Sequence, residues 1–286
     1  MVDYQGKVAV ITGAASGVGR GLALYCASIG MKLALGDING GKLRELAKEL
    51  KAQNADVLTY VFNVAKDQEF KAFAEKTITE FNAVDIFFNN AGVSVPGEIW
   101  SLPAEEWKWV MDVNVLGPVN GIRAFVPFMI AQDKDCCVVN TASIAGLLPA
   151  FNAPVYSASK HAVVGLTEVL NFQLQDVGAK VRAFLLCPGY IATNLHNCME
   201  NRPSDYTGAD DYFQSSDFKE RYDIMAANVI NGISVEKLVA VIFDALEKDQ
   251  YYIHTHEEFL PLIGKRASNI VKGRRPRSPG QYKVQK

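Results

Sequence analysis

Ser143, Tyr156 and Lys160 are the residues of this 286-residue chain whose types and spacing best suit proton transfer. Tyr156 and Lys160 are four positions apart, so on a helix their side chains lie on the same face. The ammonium of Lys160 can then stabilise the phenolate form of Tyr156, while the hydroxyl of Ser143 holds a reacting oxygen. Taken alone, a tyrosine and a lysine at this spacing are usually a surface pair, so the chemistry depends on what lies around them.

A glycine-rich turn follows the first predicted strand and opens the first predicted helix. Its first glycine permits a tight turn, its second lets the backbone approach a pyrophosphate, and its third allows close packing of the helix on the strand. The free N–H groups at the start of the helix favour the charge of the pyrophosphate. An ordinary glycine-rich turn is the alternative, but the strand–turn–helix context favours a dinucleotide site. The predicted contacts in this turn are Gly13, Ser16, Gly17, Val18 and Gly19.

Asp37 ends the second predicted strand, at the position where a ribose-binding acid belongs. Its carboxylate can accept hydrogen bonds from the adenosine ribose hydroxyls, and it would repel a 2′-phosphate. Ile38, a further predicted cofactor contact, and Asn39 follow, with no Lys or Arg beside them to neutralise that phosphate. The sequence therefore predicts NAD rather than NADP. The alternative is that Asp37 caps a helix that begins near Gly40.

Short apolar runs alternate with amphipathic stretches along most of the chain. The pattern predicts strands at residues 7–12, 32–37, 56–62, 84–88, 136–141, 180–186 and 251–255, and helices at 17–29, 40–53, 66–81, 104–131, 154–177 and 235–247. Because the strands are apolar on both faces, they suit a parallel sheet covered by helices on each side. The alternation implies right-handed crossovers and a doubly wound, Rossmann-like α/β fold. A bend is expected near Gly117-Pro118 in the long helical region.

One domain is predicted over residues 1–258, with a substrate lid at about 190–232, where aromatics, acids and turn formers break the pattern. Residues 259–286 carry eight Lys or Arg and no Asp or Glu, and we predict a basic, partly disordered tail there. Such a tail is a solvated end or, alternatively, attracts an anionic substrate or a membrane surface.

With these motifs in order, the chain resembles the short-chain dehydrogenase/reductase family over residues 5 to about 256. The glycine turn matches the family's cofactor turn, Asn114 matches its active-site asparagine, and Ser143, Tyr156 and Lys160 complete its catalytic tetrad. The resemblance implies further cofactor contacts at Asn63, Val64, Asn90, Ala91, Gly92, Pro188, Gly189, Ile191 and Thr193, besides Tyr156 and Lys160. One departure is Asn63, where the family usually has Asp. An asparagine can still accept from the adenine amine and donate to a ring nitrogen.

The resemblance also implies a mechanism for alcohol oxidation with NAD. Ser143 and Tyr156 hydrogen-bond the substrate hydroxyl, and Tyr156 removes its proton while hydride moves to the cofactor. Lys160 binds the nicotinamide ribose, lowers the Tyr156 pKa, and passes the proton through Asn114 and water to solvent. A tyrosine pKa near 10 must fall by about 3 units, or roughly 4 kcal/mol, to work at neutral pH. We expect a partly desolvated Lys160 and an oxidised nicotinamide ring to supply that energy together.

The predicted substrate pocket is roomy and apolar. Its predicted walls are Val95, Ser143, Leu147, Leu148, Phe151, Tyr156, Tyr190 and Leu195. A lipophilic secondary alcohol or ketone would suit such a pocket, for example a steroid, a terpenoid or, if the basic tail takes part, a hydroxy fatty acid. The alternative is that most lid aromatics pack onto the body or onto a neighbouring subunit.

Composition excludes several other classes. The net charge of −2 gives no reason to expect nucleic acid, and no uncharged apolar run approaches the about 20 residues of a membrane span. Five cysteines without a C-x-x-C pair indicate reduced thiols in a cytoplasmic protein, with no zinc site. His254 and His256 alternate on the last predicted strand, where a packing or subunit-interface role is favoured over a metal.

Other functions remain open. The same fold can act on an imine, or as an epimerase or dehydratase that recycles its cofactor. A cofactor-binding scaffold or redox sensor without turnover belongs to a different class, and such a binder has no need of the acid–base pair. By resemblance, we expect a homotetramer, with a dimer next, formed through the helices at 104–131 and 154–177.

Overall fold

A seven-stranded parallel sheet forms the centre of the computed structural model, which describes residues 3–206 and 210–276. The strand order is β3-β2-β1-β4-β5-β6-β7. The strands are β1 Val8–Thr12, β2 Lys32–Asp37, β3 Val57–Val61, β4 Ile86–Asn89, β5 Cys136–Thr141, β6 Val181–Cys187 and β7 Tyr252–His254. The order reverses at β1, because β2 and β3 extend to one side of it and β4 to β7 to the other. Open sheets of this kind bind ligands outside the carboxyl ends of the strands at such a reversal.

Helices cover both faces of the sheet, as the doubly wound prediction requires. They are α1 Gly17–Ser28, α2 Gly40–Ala52, α3 Asp67–Phe81, α4 Ala104–Met111, α5 Gly117–Ala131, α6 Pro154–Asp176, α7 Asp210–Gln214, α8 Ser216–Ile230, α9 Val235–Glu247 and α10 Leu260–Val271. Successive strand residues point to opposite faces. Ala9 and Ile11 therefore pack with α1, α2 and α9, whereas Val8 and Val10 pack with α3 to α6. The predicted fold class is confirmed, and the predicted element ends are off by one or two residues.

The long helical region at 104–131 is not one regular α-helix. A π-helical segment, Asp112–Leu116, separates α4 from α5 and ends immediately before the predicted bend at Gly117-Pro118. Pro118 lies in the first turn of α5, where its missing N–H has no helical partner to lose. By length and composition Ala104–Ala131 could cross a membrane, but half of its most apolar window is buried inside the protein, as expected for a core helix.

The first part of the predicted tail is helical in the structure. A short 3₁₀ turn, Glu257–Phe259, leads into α10, none of whose side chains is buried. The predicted disorder beyond 276 falls outside the described residues. The lid contains the 3₁₀ segments Leu195–Asn201 and Ser204–Tyr206, followed by α7 and α8. All five cysteines are buried and unpaired in the structure.

Candidate active site

One large cavity, of about 690 Å³, lies at the carboxyl ends of the strands. The predicted cofactor residues that line it are Gly13, Ser16, Gly17, Val18, Asp37, Ile38, Asn63, Val64, Asn90, Ala91, Gly92, Tyr156, Lys160, Pro188, Gly189, Ile191 and Thr193. Gly19 lies beneath them, where a Cβ would come within 2.1 Å of the Gly13 carbonyl oxygen. The third glycine of the turn is thus needed for helix–strand packing.

The glycine turn has the backbone geometry that its residues require. Gly13 and Gly17 have φ values of +65° and +51°, in the left-handed region that disfavours a side chain. Ser16 precedes α1 in extended conformation and makes no side-chain cap to it. Part of the backbone N–H set at the start of α1 is therefore available to an anion, and these features fit a dinucleotide pyrophosphate.

Asp37 is 8% exposed and is held in place by the backbone. Its carboxylate accepts hydrogen bonds from Ala15 N at 2.9 Å and Asn39 N at 2.8 Å. Burial raises the pKa of Asp37, and these two bonds oppose the rise. The side chain that caps α2 belongs to Asn39, which accepts from Lys42 N at 3.0 Å, so the alternative role of Asp37 as the α2 cap is wrong.

Lys42 is a cavity residue that the sequence reasoning missed. It lines the cavity near Asp37 and forms an ion pair with Glu200 of the lid, with 3.6 Å between Nζ and Oε2. The two residues directly after Asp37, Ile38 and Asn39, are neutral and give no sign of this lysine. Lys42 lies in the first turn of α2, and the helical turn brings its side chain back to the side of the structure where Asp37 lies.

Asn63 lines the cavity and also makes hydrogen bonds to residues close to it in the chain. Its Oδ1 accepts a hydrogen bond from Ala65 N at 3.0 Å, and its own N–H donates to Glu69 Oε2 at 2.8 Å. This bond uses one of the two lone pairs of Oδ1, so the other lone pair and the Nδ2 donor are left for the adenine ring that the resemblance implies.

Three residues of the predicted tetrad, Ser143, Tyr156 and Lys160, line the cavity, whereas Asn114 is fully buried and does not. Ser143 follows β5 and accepts a hydrogen bond from Ala145 N at 3.1 Å. Tyr156 and Lys160 lie on α6, with Lys160 Nζ at 5.5 Å from the centroid of the Tyr156 ring. Lys160 is 3% exposed, and its Nζ donates to the Thr141 carbonyl at 2.7 Å. The i, i+4 spacing therefore brings the ammonium beside the phenol ring, as expected.

Burial moves the two pKa values of this pair in opposite directions. It raises the pKa of Tyr156 to about 12, partly offset by a hydrogen bond with Ser143, and it lowers the pKa of Lys160 to about 8. The expected lowering of the Tyr156 pKa is thus not present in the protein by itself. Desolvation penalises the charged form of each group, and it is the largest cause of both shifts.

Asn114 is fully buried in the π-helical segment. Its side chain bonds the Val93 backbone twice, accepting from N at 2.8 Å and donating to O at 2.9 Å, and it donates to Ser159 Oγ at 3.0 Å. A Cβ at Gly92 would lie 3.4 Å from both Asn114 Oδ1 and Lys160 Nζ. The space that Gly92 leaves therefore connects these two polar groups, as a water relay between them would require.

The substrate side of the cavity is mostly as predicted, with two corrections. Leu148, Phe151, Tyr190 and Leu195 line it, together with Ser143 and Tyr156. Val95 instead lies fully buried in the core beside the cavity, and Leu147 packs against a group formed by Ala142, Val163, Leu185 and Cys187. Adjacent residues of a turn point in different directions, so the placement of Leu148 in the cavity wall turns Leu147 away from it.

Residues from the lid and from the region after β7 complete the cavity wall. Ile224, Met225 and Val229 of α8 line it, as do Phe259 and Leu262 at the start of α10. The last two were missed because they lie in the predicted tail. The alternative that lid aromatics pack onto the body holds for several of them, namely Tyr206, Tyr212, Phe213, Phe218 and Tyr222.

Within residues 3–206 and 210–276, no group of three or more His, Cys, Asp or Glu side chains could hold a metal ion.

Comparisons with known proteins agree with this geometry. The family model described as short chain dehydrogenase matches residues 7–203. A protein of Lactiplantibacillus plantarum named CLA biosynthesis dehydrogenase/reductase is 35% identical over 272 residues, which cover 95% of each chain. A diacetyl reductase, (S)-acetoin forming, of Staphylococcus epidermidis is 35% identical over 66% of this chain and 73% of its own. A crystal structure of a short chain dehydrogenase/reductase from Burkholderia phymatum in complex with NAD has a TM-score of 0.94 and 36% identity, covering 98% of this chain and 99% of that one.

Proposed function

The chain belongs to the short-chain dehydrogenase/reductase family, and on that premise we propose that it transfers hydride between NAD(H) and a secondary alcohol or its ketone. The observation that carries the proposal is that Ser143, Tyr156 and Lys160 line the same cavity as the predicted dinucleotide contacts, with Asn114 bonded to Val93 of the cavity wall. A protein that only bound the cofactor would not need a buried lysine beside a tyrosine that lines the cavity.

The side chains divide the work of alcohol oxidation between them. A bound nicotinamide supplies the hydride acceptor. Ser143 Oγ and Tyr156 Oη hold the substrate hydroxyl, and Tyr156 takes its proton as general base, which is worth roughly 10²–10⁴-fold. Lys160 stabilises the phenolate form of Tyr156 by its charge. The space beside Gly92 lets a water carry the proton from Lys160 towards Asn114.

The chemistry of the cavity wall favours a lipophilic substrate. Four charged residues line the cavity within the described chain: Asp37, Lys42, Lys160 and Glu200. Lys42 acts electrostatically on Asp37 and pairs with Glu200, so three of the four lie at the adenosine end. Lys160 belongs to the catalytic set. The substrate side therefore has only neutral residues, many of them large and apolar, and we propose a hydroxy fatty acid, steroid or terpenoid alcohol as the substrate class.

One relative is named a CLA biosynthesis dehydrogenase/reductase. The name of another refers to a small diketone, diacetyl, so relatives differ in substrate size. The unpaired, buried cysteines support a cytoplasmic location as part of the same proposal.

The test of the reaction is absorbance at 340 nm with NAD and a panel of secondary alcohols. The panel contains long-chain hydroxy acids, steroids, terpenoid alcohols and small diols. We expect NADH formation with one lipophilic class at a kcat/KM well above that for the small diols. Turnover of small diols at equal or greater kcat/KM would contradict the lipophilic assignment, and turnover only with an imine would contradict the reaction class.

The choice of NAD over NADP is proposed from Asp37 and is tested at that residue. In Asp37→Ser the repulsion of a 2′-phosphate is gone and Lys42 lies nearby to attract it. We expect NAD affinity to fall about tenfold and NADP affinity to rise, measured by fluorescence titration. Asp56→Ser is the matched control, because Asp56 is an exposed carboxylate paired with Lys32 at 3.7 Å. A wild-type protein that prefers NADP would overturn the assignment of Asp37.

A further inference from the structure

The backbone at residues 188–192, here called the Pro-Gly turn, is fixed at both ends by hydrogen bonds. At one end Pro188 O accepts from Ile144 N at 2.8 Å, directly after the catalytic serine. At the other end Ile233 N donates to Tyr190 O at 3.0 Å, and Ala192 N donates to Ile233 O at 2.9 Å. The turn is therefore framed by the segment after β5 on one side and by the end of the lid on the other.

The middle of the Pro-Gly turn is held by the residues that follow β7. Because β6 and β7 pair in parallel with Cys187 opposite His254, the next residues of both strands also lie side by side. Gly189 N donates to Thr255 Oγ1 at 3.1 Å, and Thr255 Oγ1 lies 2.7 Å from His256 Nδ1. With the Gly189 N–H as its donor, the Thr255 hydroxyl can give its own hydrogen to His256 Nδ1, so the three groups form one chain.

The His256 ring also packs directly on the turn. A Cβ at Gly189 would come within 2.6 Å of His256 Nδ1, so the ring occupies the place of a side chain at that glycine. On its other side the ring is 5.8 Å from the ring of Phe259, which lines the cavity. The predicted role of His256 in packing thus has a defined partner, the Pro-Gly turn.

Within residues 3–206 and 210–276, Ile191 N has no hydrogen-bond partner, although the carbonyl before it and the amide after it are both engaged. A backbone N–H that the protein leaves unpaired in a cavity wall is available to a ligand acceptor. Its direction is set by the turn that carries it.

We propose that Thr255 and His256 are positioning residues that orient the Pro-Gly turn, so that the Ile191 amide meets the carboxamide of the nicotinamide. This inference rests on the proposed dinucleotide function. Neither residue touches the reacting atoms. Thr255 acts through the Gly189 N–H, and His256 acts by filling the space beside Gly189 and by accepting from Thr255. The segment after β7 is thereby part of the nicotinamide site.

The test compares NAD with ADP-ribose, which has the same adenosine and pyrophosphate but no nicotinamide. Thr255→Val keeps the shape of the side chain and removes the hydroxyl, so the Gly189 N–H loses its acceptor. We expect Thr255→Val to weaken NAD binding by about 3- to 10-fold, as loss of one hydrogen bond does, and to leave ADP-ribose binding within twofold. Thr255→Ser should restore NAD binding, and His256→Ala should weaken it selectively in the same way. Binding is measured by calorimetry, which needs no knowledge of the substrate.

Tyr252→Phe is the matched control, since it removes a hydrogen bond from β7 to Glu168 on α6 and does not involve the turn. It should leave both affinities unchanged. Equal weakening of NAD and ADP-ribose in Thr255→Val, or no weakening of either, would overturn the positioning role. If the wild-type protein binds NADP instead, the proposed cofactor is wrong, and the same comparison with NADP and its nicotinamide-free analogue still decides this inference.

Discussion

At the level of single residues, the chemistry depends on Tyr156 and Lys160, and burial disfavours the charged form of each. Burial holds the pKa of Tyr156 at about 12 and that of Lys160 at about 8. At pH 7 Lys160 is therefore still mostly charged, while Tyr156 is protonated. A ketone can take a proton from this phenol directly. An alcohol requires the phenolate, so oxidation depends on the Lys160 charge and on a bound oxidised cofactor to lower the Tyr156 pKa.

The rate of alcohol oxidation should depend on pH through Tyr156. Because the active form for oxidation is deprotonated Tyr156, kcat/KM for oxidation should rise with pH up to the Tyr156 pKa in the site. Lys160→Met removes the positive charge that lies 5.5 Å from the ring, so it should move the rising limb to higher pH by about 1–3 pH units. The measurement is kcat/KM against pH with a single alcohol. Lys42→Met, at the adenosine end, is the control and should leave the limb in place. An unmoved limb in Lys160→Met would show that another group sets the pH dependence.

At the level of helices and strands, the sequence predicts an element correctly where hydrophobic periodicity and turn residues indicate the same structure. The strand–turn–helix around Gly13 to Gly19, the buried parallel strands and the i, i+4 pair on α6 all follow from local rules, and the structure contains them. The parts that could not be predicted depend on tertiary contacts. The π-helical segment at Asp112–Leu116 has no distinctive composition, and what distinguishes it is that Asn114 bonds the Val93 backbone.

Helix α10 was missed for a different reason. Its basic charge and the Pro/Gly-rich residues after it are typical of a disordered end. Its role is visible only once Phe259 and Leu262 are found in the cavity wall. Likewise, the placement of Leu148 rather than Leu147 in the cavity depends on the local turn, which residue types alone do not specify.

An ion pair with a buried carboxylate holds the lid to the body. Arg202 of the lid forms an ion pair with Glu106 of α4, whose side chain is fully buried, and burial raises the pKa of Glu106 to about 7. Arg202→Met leaves this carboxyl group without its partner, at a cost of about 3–5 kcal/mol when it is charged. Protonation relieves that cost at low pH. The loss of unfolding free energy, measured in urea, should therefore be larger at pH 8 than at pH 5.5.

The double variant Glu106→Leu/Arg202→Met removes both charges and should recover most of the stability lost in Arg202→Met. Equal losses at the two pH values, or a double variant no more stable than Arg202→Met, would contradict a buried charge as the cause.

At the scale of the whole molecule, two helices present apolar side chains to solvent. Leu116 next to α5 and Val169 and Phe172 on α6 are 47%, 50% and 63% exposed. Large apolar side chains at this exposure are candidates for contacts with another subunit. These are the two helical regions through which the family resemblance predicts association, so assembly as a homotetramer, or next a dimer, remains our prediction.

A substitution at Phe172 on α6 tests whether the protein associates through these helices. Phe172→Glu introduces a charge where the predicted interface would be dry, and it should convert the oligomer to a smaller species in size-exclusion chromatography with light scattering. Val271→Glu is the control, because Val271 is 86% exposed at the end of α10 and belongs to neither helix. An unchanged mass for Phe172→Glu, or a monomeric wild-type protein, would contradict association through α5 and α6.

The most direct test of Tyr156 as the acid–base group is Tyr156→Phe, measured both for NAD binding and for turnover of the best alcohol in the panel. The substitution removes one hydroxyl and keeps the ring beside Lys160. We predict NAD affinity within about twofold of wild type and a fall in kcat of roughly 10²–10⁴-fold, the contribution of a positioned general base. Tyr25→Phe, on α1 with its ring against Phe243 of α9 and outside the cavity lining, should match wild type in both. Turnover at the wild-type rate in Tyr156→Phe would contradict the assignment of this tyrosine as the acid–base group, and with it the proposed mechanism.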